Sequence, residues 1–238
     1  SSSFGQAMAI TPLQMCTAVA AAVNGGYLVT PHVVDKITDA NGNVIEEIGA
    51  NVRRQVISES TSNVIRQIME YEVGNGTGGG KYAYVSGYRI GGKSGTSEQL
   101  NMDRRADGDY KKVASFAAVL PADDPEIIVY VMLDDPNNAR TDYSSLLAAP
   151  VVGNIISEIA PYLGIAADGE DRSQTVVTVP NLVGTEWSSA QVQLNIKGLR
   201  HQLAESTTSQ AAAAVTYQYP HAGAKVAYGT TGRRGKLQ

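Results

Sequence analysis

Two strongly apolar runs, Val113 to Leu120 and Ile127 to Leu133, are joined by the short turn Pro121-Ala122-Asp123-Asp124-Pro125. A connection of that length joins antiparallel neighbours, whereas a parallel crossover needs a dozen residues or more. The pair therefore predicts an antiparallel hairpin. The segments around it alternate between helix and strand. Thr11-Pro12 gives a hydroxyl cap and a proline at the first helical position, ahead of an alanine-rich apolar helix that runs to Val23 and stops at Asn24-Gly25-Gly26. Tyr27 to Val29, Val33 to Ile37, Val44 to Ile48 and Val52 to Ile57 read as short extended segments, with an Asn41-Gly42 hairpin turn among them. Ser58 caps a helix whose stripe is Val64, Ile65, Ile68, Met69 and Val73. It ends in the glycine-rich loop 74–80, which reads as a simple flexible connector, with a loop bordering a site as the alternative. Ser144 to Leu163 reads as a long helix, with Pro150 starting its regular part or kinking it.

Between the second helix and the hairpin lies Gly91-Gly92-Lys93-Ser94-Gly95-Thr96-Ser97. A lysine between glycines, followed by hydroxyl, glycine and hydroxyl, is a compact anion-binding device. The ammonium brings charge, Ser94 and Thr96 bring donors, and Gly95 keeps a ligand's path free of a Cβ. Gly87 to Ser94 also matches the phosphate-binding pattern G-x-x-x-x-G-K-[ST], with the run ending at Asp134 as its metal-binding partner. That reading needs a helix opening directly from Lys93-Ser94. Residues 97–109 offer only Leu100 and Met102 as large apolar positions, a poor helix to pack on a sheet. The remaining readings are a glycine-rich turn with an exposed lysine, and a Lys-Ser-Gly-Thr element on an edge strand.

After a polar linker at 166–174 the chain becomes a smaller unit. It reads as a strand at Val176 to Val179, a helix capped by Thr185, strands at Leu199 to Leu203 and Val215 to Tyr219, and a last extension at Val226 to Tyr228. Trp187 lies on the helix's apolar stripe and reads as core in preference to a sugar platform. Ala211 to Ala214 reads as loop. The single cysteine, Cys16, cannot form an internal disulfide and sits in an apolar helix. His32, His201 and His221 have no metal-ligand spacing, so neither a metal nor a cofactor is expected. Asp123-Asp124 and Asp134-Asp135 read as solvated turn residues. The net charge of −4 offers no general attraction to nucleic acid. No run approaches the ~18 apolar residues of a membrane span. The opening Ser-Ser-Ser-Phe-Gly carries neither Met nor signal peptide and reads as the interior of a longer chain.

Several elements, in order, resemble the transpeptidase domain of class B penicillin-binding proteins. They are Phe4-Gly5-Gln6, Thr11-Pro12-Leu13-Gln14-Met15, Asn24-Gly25-Gly26, Pro31-His32, 74–78, Gly91 to Thr96, Phe116, Pro121-Ala122-Asp123 and Ala148-Ala149-Pro150-Val151. The tail resembles a PASTA module through Val179-Pro180-Asn181-Leu182-Val183-Gly184, Ala190, Gly198-Leu199, Gln218-Tyr219-Pro220, Gly223, Val226 and Gly229. The resemblance implies an α+β fold: the second half of a serine β-lactamase/transpeptidase-like antiparallel sheet with flanking helices (1–165), the linker (166–174) and a small α+β PASTA module (175–238). It implies a division or sporulation type of Gram-positive-like bacteria.

In that family a serine attacks the penultimate D-Ala carbonyl of a peptidoglycan stem, a lysine takes its proton, and an amine from a second stem resolves the acyl-enzyme. The resemblance assigns Lys93 to the positive potential near nucleophile and substrate carboxylate. It assigns the hydroxyls of Ser94 and Thr96 to that carboxylate, and the Thr96 backbone N–H to the oxyanion hole. Losing one such donor typically costs about 3–4 kcal/mol of barrier. Gly95 keeps the substrate's path open. β-Lactams are trapped by the same groups, and division or elongation proteins are implied partners. No Ser-x-x-Lys occurs anywhere in the chain, and Ser62-Asn63 is neither the family's Ser-x-Asn nor on its side of Phe4-Gly5-Gln6. The nucleophile, its base and a membrane anchor are therefore expected upstream, with the chain on the extracytoplasmic face and inactive alone. A non-catalytic binding relative, or a carboxypeptidase or β-lactamase-type hydrolase, stays open. Arg233-Arg234-Gly235-Lys236-Leu237-Gln238 stands where a PASTA module has an apolar last strand, so a truncated or scrambled end is expected.

Overall fold

The computed structural model describes residues 5, 8–74, 78–99, 101, 103–106, 108–136, 143–167, 169, 176–203, 213–227 and 230–234. The Phe4 and Gln6 of the family-like opening, the centre of the glycine-rich loop, most of the linker and the last four residues lie outside them.

The chain opens with α1 (Pro12–Val23), started by a reciprocal cap. The Gln14 N–H donates to Thr11 Oγ1 (3.2 Å) and the Thr11 N–H to Gln14 Oε1 (2.8 Å). At its end Asn24 bridges to the backbone of Tyr27 through both amide atoms. Gly26 sits at φ +93°, and a Cβ there would lie 2.0 Å from the Ile57 carbonyl oxygen, so both conformation and space demand glycine. The chain then forms β1 (Tyr27–Thr30), β2 (Lys36–Thr38), β3 (Val44–Glu47) and β4 (Asn51–Gln55), paired antiparallel as β1–β4 and β2–β3. The Asp39 carboxylate accepts the N–H groups of Asn41 and Asn43 and closes the β2–β3 turn. The strand expected from Val33 begins only at Lys36. Val33 is fully exposed, so no neighbouring surface rewards an extended Val33-Val34.

Helix α2 (Glu59–Gly74) starts where Ser58 Oγ accepts the Thr61 N–H (3.2 Å). A short 3-10 turn, Gly79–Ala83, leads to the principal sheet. That sheet is β5 (Gly91–Glu98), β6 (Lys112–Leu120) and β7 (Ile127–Asp134), antiparallel throughout, in the order β5-β6-β7. The hairpin expected from the short turn is β6–β7, and the lysine motif is the edge strand β5.

The long helix α3 (Ser144–Leu163) covers one face of this sheet. Phe116, Ala118, Val129, Ala148, Val152 and Ile156 share its core with Val73 of α2. Both Pro150 and Pro161 are accommodated inside the helix. The opposite face is covered at one end by α1, where Val23, Val119 and Met69 close together with Val19, Ile65 and Ile128 around them. The sheet is thus a middle layer between α3 and the α1–α2 pair.

Beyond Ile165 a second cluster forms around Val179, Leu182, Trp187, Ala190, Leu194, Leu199 and Val215. Its elements are β8 (Val176–Thr178), α4 (Trp187–Ile196), β9 (Arg200–Leu203), β10 (Gln218–Tyr219), β11 (Lys225–Ala227) and β12 (Thr231–Arg234). Trp187 is buried, as its place on the apolar stripe predicts. Three expectations change. Thr185 does not cap α4; its hydroxyl donates to the Leu182 carbonyl (2.6 Å), and Glu186 occupies the cap position without a side-chain capping bond. The extension expected from Val215 narrows to Gln218–Tyr219. Of the basic end, Arg233 and Arg234 close β12, which pairs parallel with β9 and antiparallel with β10, because the ladder needs backbone groups and not apolar side chains; residues 235–238 lie outside the described residues.

Glycines at the start of β5 set its distance from β6. A Cβ on Gly92 would lie 2.6 Å from the Phe116 ring and one on Gly91 3.0 Å from Val119, whereas Gly49 has open space around it. Gly92→Ala is expected to destabilise the chain by about 1–3 kcal/mol through overpacking. Thermal unfolding should show Tm falling by about 2–4 °C per kcal/mol, with Gly49→Ala near the parent value.

Candidate functional site

Successive residues of β5 point to opposite faces. Gly92 lies against the Phe116 ring, and Ser94 and Thr96 share that face, toward α3. Lys93, Gly95 and Ser97 face the α1 side, in register with Ala117, Ser115 and Val113 of β6 and then Tyr130, Met132 and Asp134 of β7. Helix α1 covers only the Val119–Ile128 end of this face. The remaining length forms an open cleft of about 890 Å³, walled by Lys93 to Gln99, Tyr130, Met132, Met8 and Ile10.

Lys93 is exposed on this wall. Its Nζ donates to its neighbour's Ser94 carbonyl (2.7 Å) and reaches the Ser94 hydroxyl at 3.5 Å. No carboxylate among the described residues forms an ion pair with it, so its charge is left facing the cleft. The hydroxyl of Ser94 is half-buried beside it. At Gly95 the Ser115 hydroxyl donates to the glycine carbonyl (3.3 Å), and a Cβ would lie 2.9 Å from that oxygen. A side chain at 95 would therefore displace the Ser115 hydroxyl as well as entering the cleft.

Thr96 behaves differently from the expectation that its hydroxyl is free for a ligand. The hydroxyl donates to Ser144 Oγ (3.0 Å) and accepts the Ser144 N–H (3.4 Å). Ser144 is buried and is the first residue of α3, whose cap residue, Tyr143, makes no side-chain capping bond. A helix leaves its first N–H groups without intrahelical partners. Here a threonine from the edge strand supplies the missing acceptor across 48 residues of chain. Ser144 is the residue that sequence reasoning missed. A serine at a helix start was visible, but nothing local pairs it with Thr96.

The alternative phosphate-loop reading fails on structure. β5 continues as strand through Glu98, no helix opens from Lys93-Ser94, and the Asp134 strand lies antiparallel. Several residues weighed from the sequence have structural partners. Ser62 is fully buried and its hydroxyl accepts the Gly25 N–H (3.0 Å), which closes it to a substrate. Asp135 is paired with Arg105 (2.7 Å), and Asp134 accepts from the Gln99 amide, so neither is a merely solvated turn residue. Asp123 binds Arg89, which also holds Glu70 through two nitrogens. Burial pushes the Cys16 thiol up, away from the thiolate a nucleophile needs.

Comparison with known proteins follows this geometry. Residues 1–157 match the model of the penicillin-binding protein transpeptidase domain. Over 238 aligned positions, covering 95% of this chain, the sequence is 34% identical to stage V sporulation protein D of Bacillus subtilis. Over 191 positions, covering 76% of the chain, it is 35% identical to the probable peptidoglycan D,D-transpeptidase FtsI of Caulobacter vibrioides. The chain spans about a third of these relatives, 34% and 30% of their lengths. Among solved structures, penicillin-binding protein 3 of Mycobacterium tuberculosis, complexed with aztreonam, superposes with a TM-score of 0.55 at 28% identity, over 68% of this chain and 37% of that one.

The cap on α3 can be tested through stability, without an activity readout. Thr96→Val keeps the shape but removes the hydroxyl, and the expected cost is about 1 kcal/mol, typical of a lost helix cap. Amide exchange in the first turn of α3 should quicken in Thr96→Val and not in Thr96→Ser. Equal exchange in all three chains would show that the bond contributes nothing.

Proposed function

The chain belongs to the penicillin-binding protein transpeptidase domain family, and from that premise we propose that β5 is the substrate-binding wall of a serine D,D-transpeptidase that cross-links peptidoglycan stem peptides and is acylated by β-lactams. The observation that carries the proposal is an edge strand whose lysine is unpaired among the described residues and faces an open cleft. An edge strand can take an extended peptide as a further strand. A cation on its cleft side then selects a peptide ending in a carboxylate.

In this reading Lys93 attracts the stem's terminal carboxylate and raises the positive potential around the nucleophile. The Ser94 hydroxyl donates to the same carboxylate. The Thr96 N–H donates to the oxygen of the carbonyl under attack, where a fixed donor favours the transition state over the ground state. The Thr96 side chain serves by anchoring that N–H, since its hydroxyl is engaged with Ser144. Gly95 leaves the peptide's path clear. The serine oxygen bonds to the penultimate D-Ala carbonyl carbon, the terminal D-Ala leaves with the proton passed through a lysine, and a second stem's amine displaces the serine.

No serine in residues 1–238 has a lysine three positions on. The nucleophile and its base accordingly belong to residues outside this stretch, as does an anchor holding the protein at the extracytoplasmic face. Residues 175–238 act as an appended PASTA-like unit that spaces the catalytic domain or recognises cell-wall material, and division or elongation proteins are the partners of the assembly.

Two measurements test this. The 238-residue chain mixed with a fluorescent penicillin should take no covalent label; labelling would overturn the placement of the nucleophile. In the protein translated from its natural start codon, Lys93→Ala should slow acylation by about 100-fold or more, the scale of a lost electrostatic contact to the transition state. An unchanged rate would remove Lys93 from the site.

A further inference from the structure

The second unit meets the first at a small cleft that the transpeptidase reading does not use. One wall comes from the 3-10 turn and the middle of α3, with Lys81, Tyr82 and Asn154. The other comes from the end of α4 and the start of β9, with Asn195, Arg200 and His201. The two walls are tied together, since the Asn195 amide donates to the Leu146 carbonyl of α3 (3.0 Å).

Its charge is one-sided. Neither Asp nor Glu lines it, in a chain whose net charge is −4. Arg200 is largely buried, and no ion pair or side-chain hydrogen bond holds its guanidinium among the described residues. Buried cations are ordinarily paired. Burial alone pushes its pKa down, with no anion acting in the other direction. His201 beside it is half-buried against Trp187, the ring centres 5.4 Å apart and edge-on. Burial also pushes its pKa down, so the ring is neutral near pH 7 and offers hydrogen bonds without adding charge. The space amounts to about 30 Å³, enough for about two water-sized atoms.

We propose that this cleft binds a compact anion, a carboxylate or a phosphate group, with the Arg200 guanidinium as its principal contact and Lys81 as the cation of the facing wall. A guanidinium offers paired N–H donors matched to two oxygens of such a group. The cleft has room for those oxygens and not for a sugar or a base. Because each wall belongs to a different unit, an occupied site links the second unit to α3. The inference does not depend on the transpeptidase reading, since it uses neither the β5 cleft nor a nucleophile.

Trp187 is the chain's only tryptophan and touches the His201 that lines the site, so its fluorescence reports on the cleft. The 238-residue chain is titrated with inorganic phosphate and, separately, with sodium acetate, against sodium chloride at constant ionic strength. A saturable change with either anion, weakened about tenfold or more in Arg200→Gln, is the expected result. Saturation by phosphate only assigns the site to phosphate-bearing ligands, and saturation by acetate only assigns it to carboxylates. Lys81→Gln on the opposite wall is a second variant, and should weaken the same titration if Arg200→Gln fails to fold. Overturning results are a non-saturating response to both anions, or a saturating response unaltered in the variants that fold.

Discussion

The contact on which the candidate site depends is the absence of a side chain: the Phe116 ring occupies the space a Cβ at Gly92 would need. Phe116 is fully buried and belongs to the cluster that α3 closes over the sheet. Its ring sets how near β5 comes to β6, and through the pairing register it sets where Lys93 stands over the cleft. Gly91 does the same against Val119 and Met69. The two glycines before the lysine are thus packing residues in the first instance. A well-packed interior responds to a single methylene, so this device fixes the strand more tightly than a loop would.

What could be read in the sequence was whatever short-range chemistry decides. The Thr11–Gln14 cap, the β6–β7 turn and the limits of α3 all appeared where local signals placed them. What could not be read depends on distant partners. Thr96 seemed to offer a free hydroxyl because its acceptor, Ser144, lies 48 residues away. Arg233 and Arg234 seemed unfit for a last strand because apolar patterning was the criterion, whereas β12 is held by backbone pairing on both sides. Val33-Val34 seemed extended because β-branched residues favour strands, yet Val33 is fully exposed and Val34 only half covered. Asp123 and Asp135 seemed solvated because their arginines, Arg89 and Arg105, lie 34 and 30 residues distant. In the site itself, Lys93, Ser94 and Gly95 were legible as a motif, while the division of labour within Thr96, hydroxyl to α3 and backbone to the strand, was not.

The charged side chains sort by their partners. Arg89 joins Glu70 and Asp123, and Arg105 joins Asp135, so these cations serve the fold. Lys93 and Arg200 have no such partner among the described residues. Lys93 is exposed and its charge is solvated, so leaving it without an ion pair carries little cost, and it can attract a ligand without first breaking a salt bridge. Arg200 is largely buried, and desolvation of an unpaired cation disfavours the charged state. One arrangement suits a substrate that arrives and departs; the other suits a group that stays.

Helix α3 is the element through which these features meet. Its first residue holds Thr96 of the edge strand, its Leu146 carbonyl holds Asn195 of the second unit, and its middle forms one wall of the Arg200 cleft. Its buried face closes the core over Phe116. A shift of α3 large enough to disturb one of these contacts is opposed by the others, because packed interfaces have discrete arrangements and do not deform continuously. The β5 wall and the second unit thus take contacts from the same end of α3, at Ser144 and at Leu146.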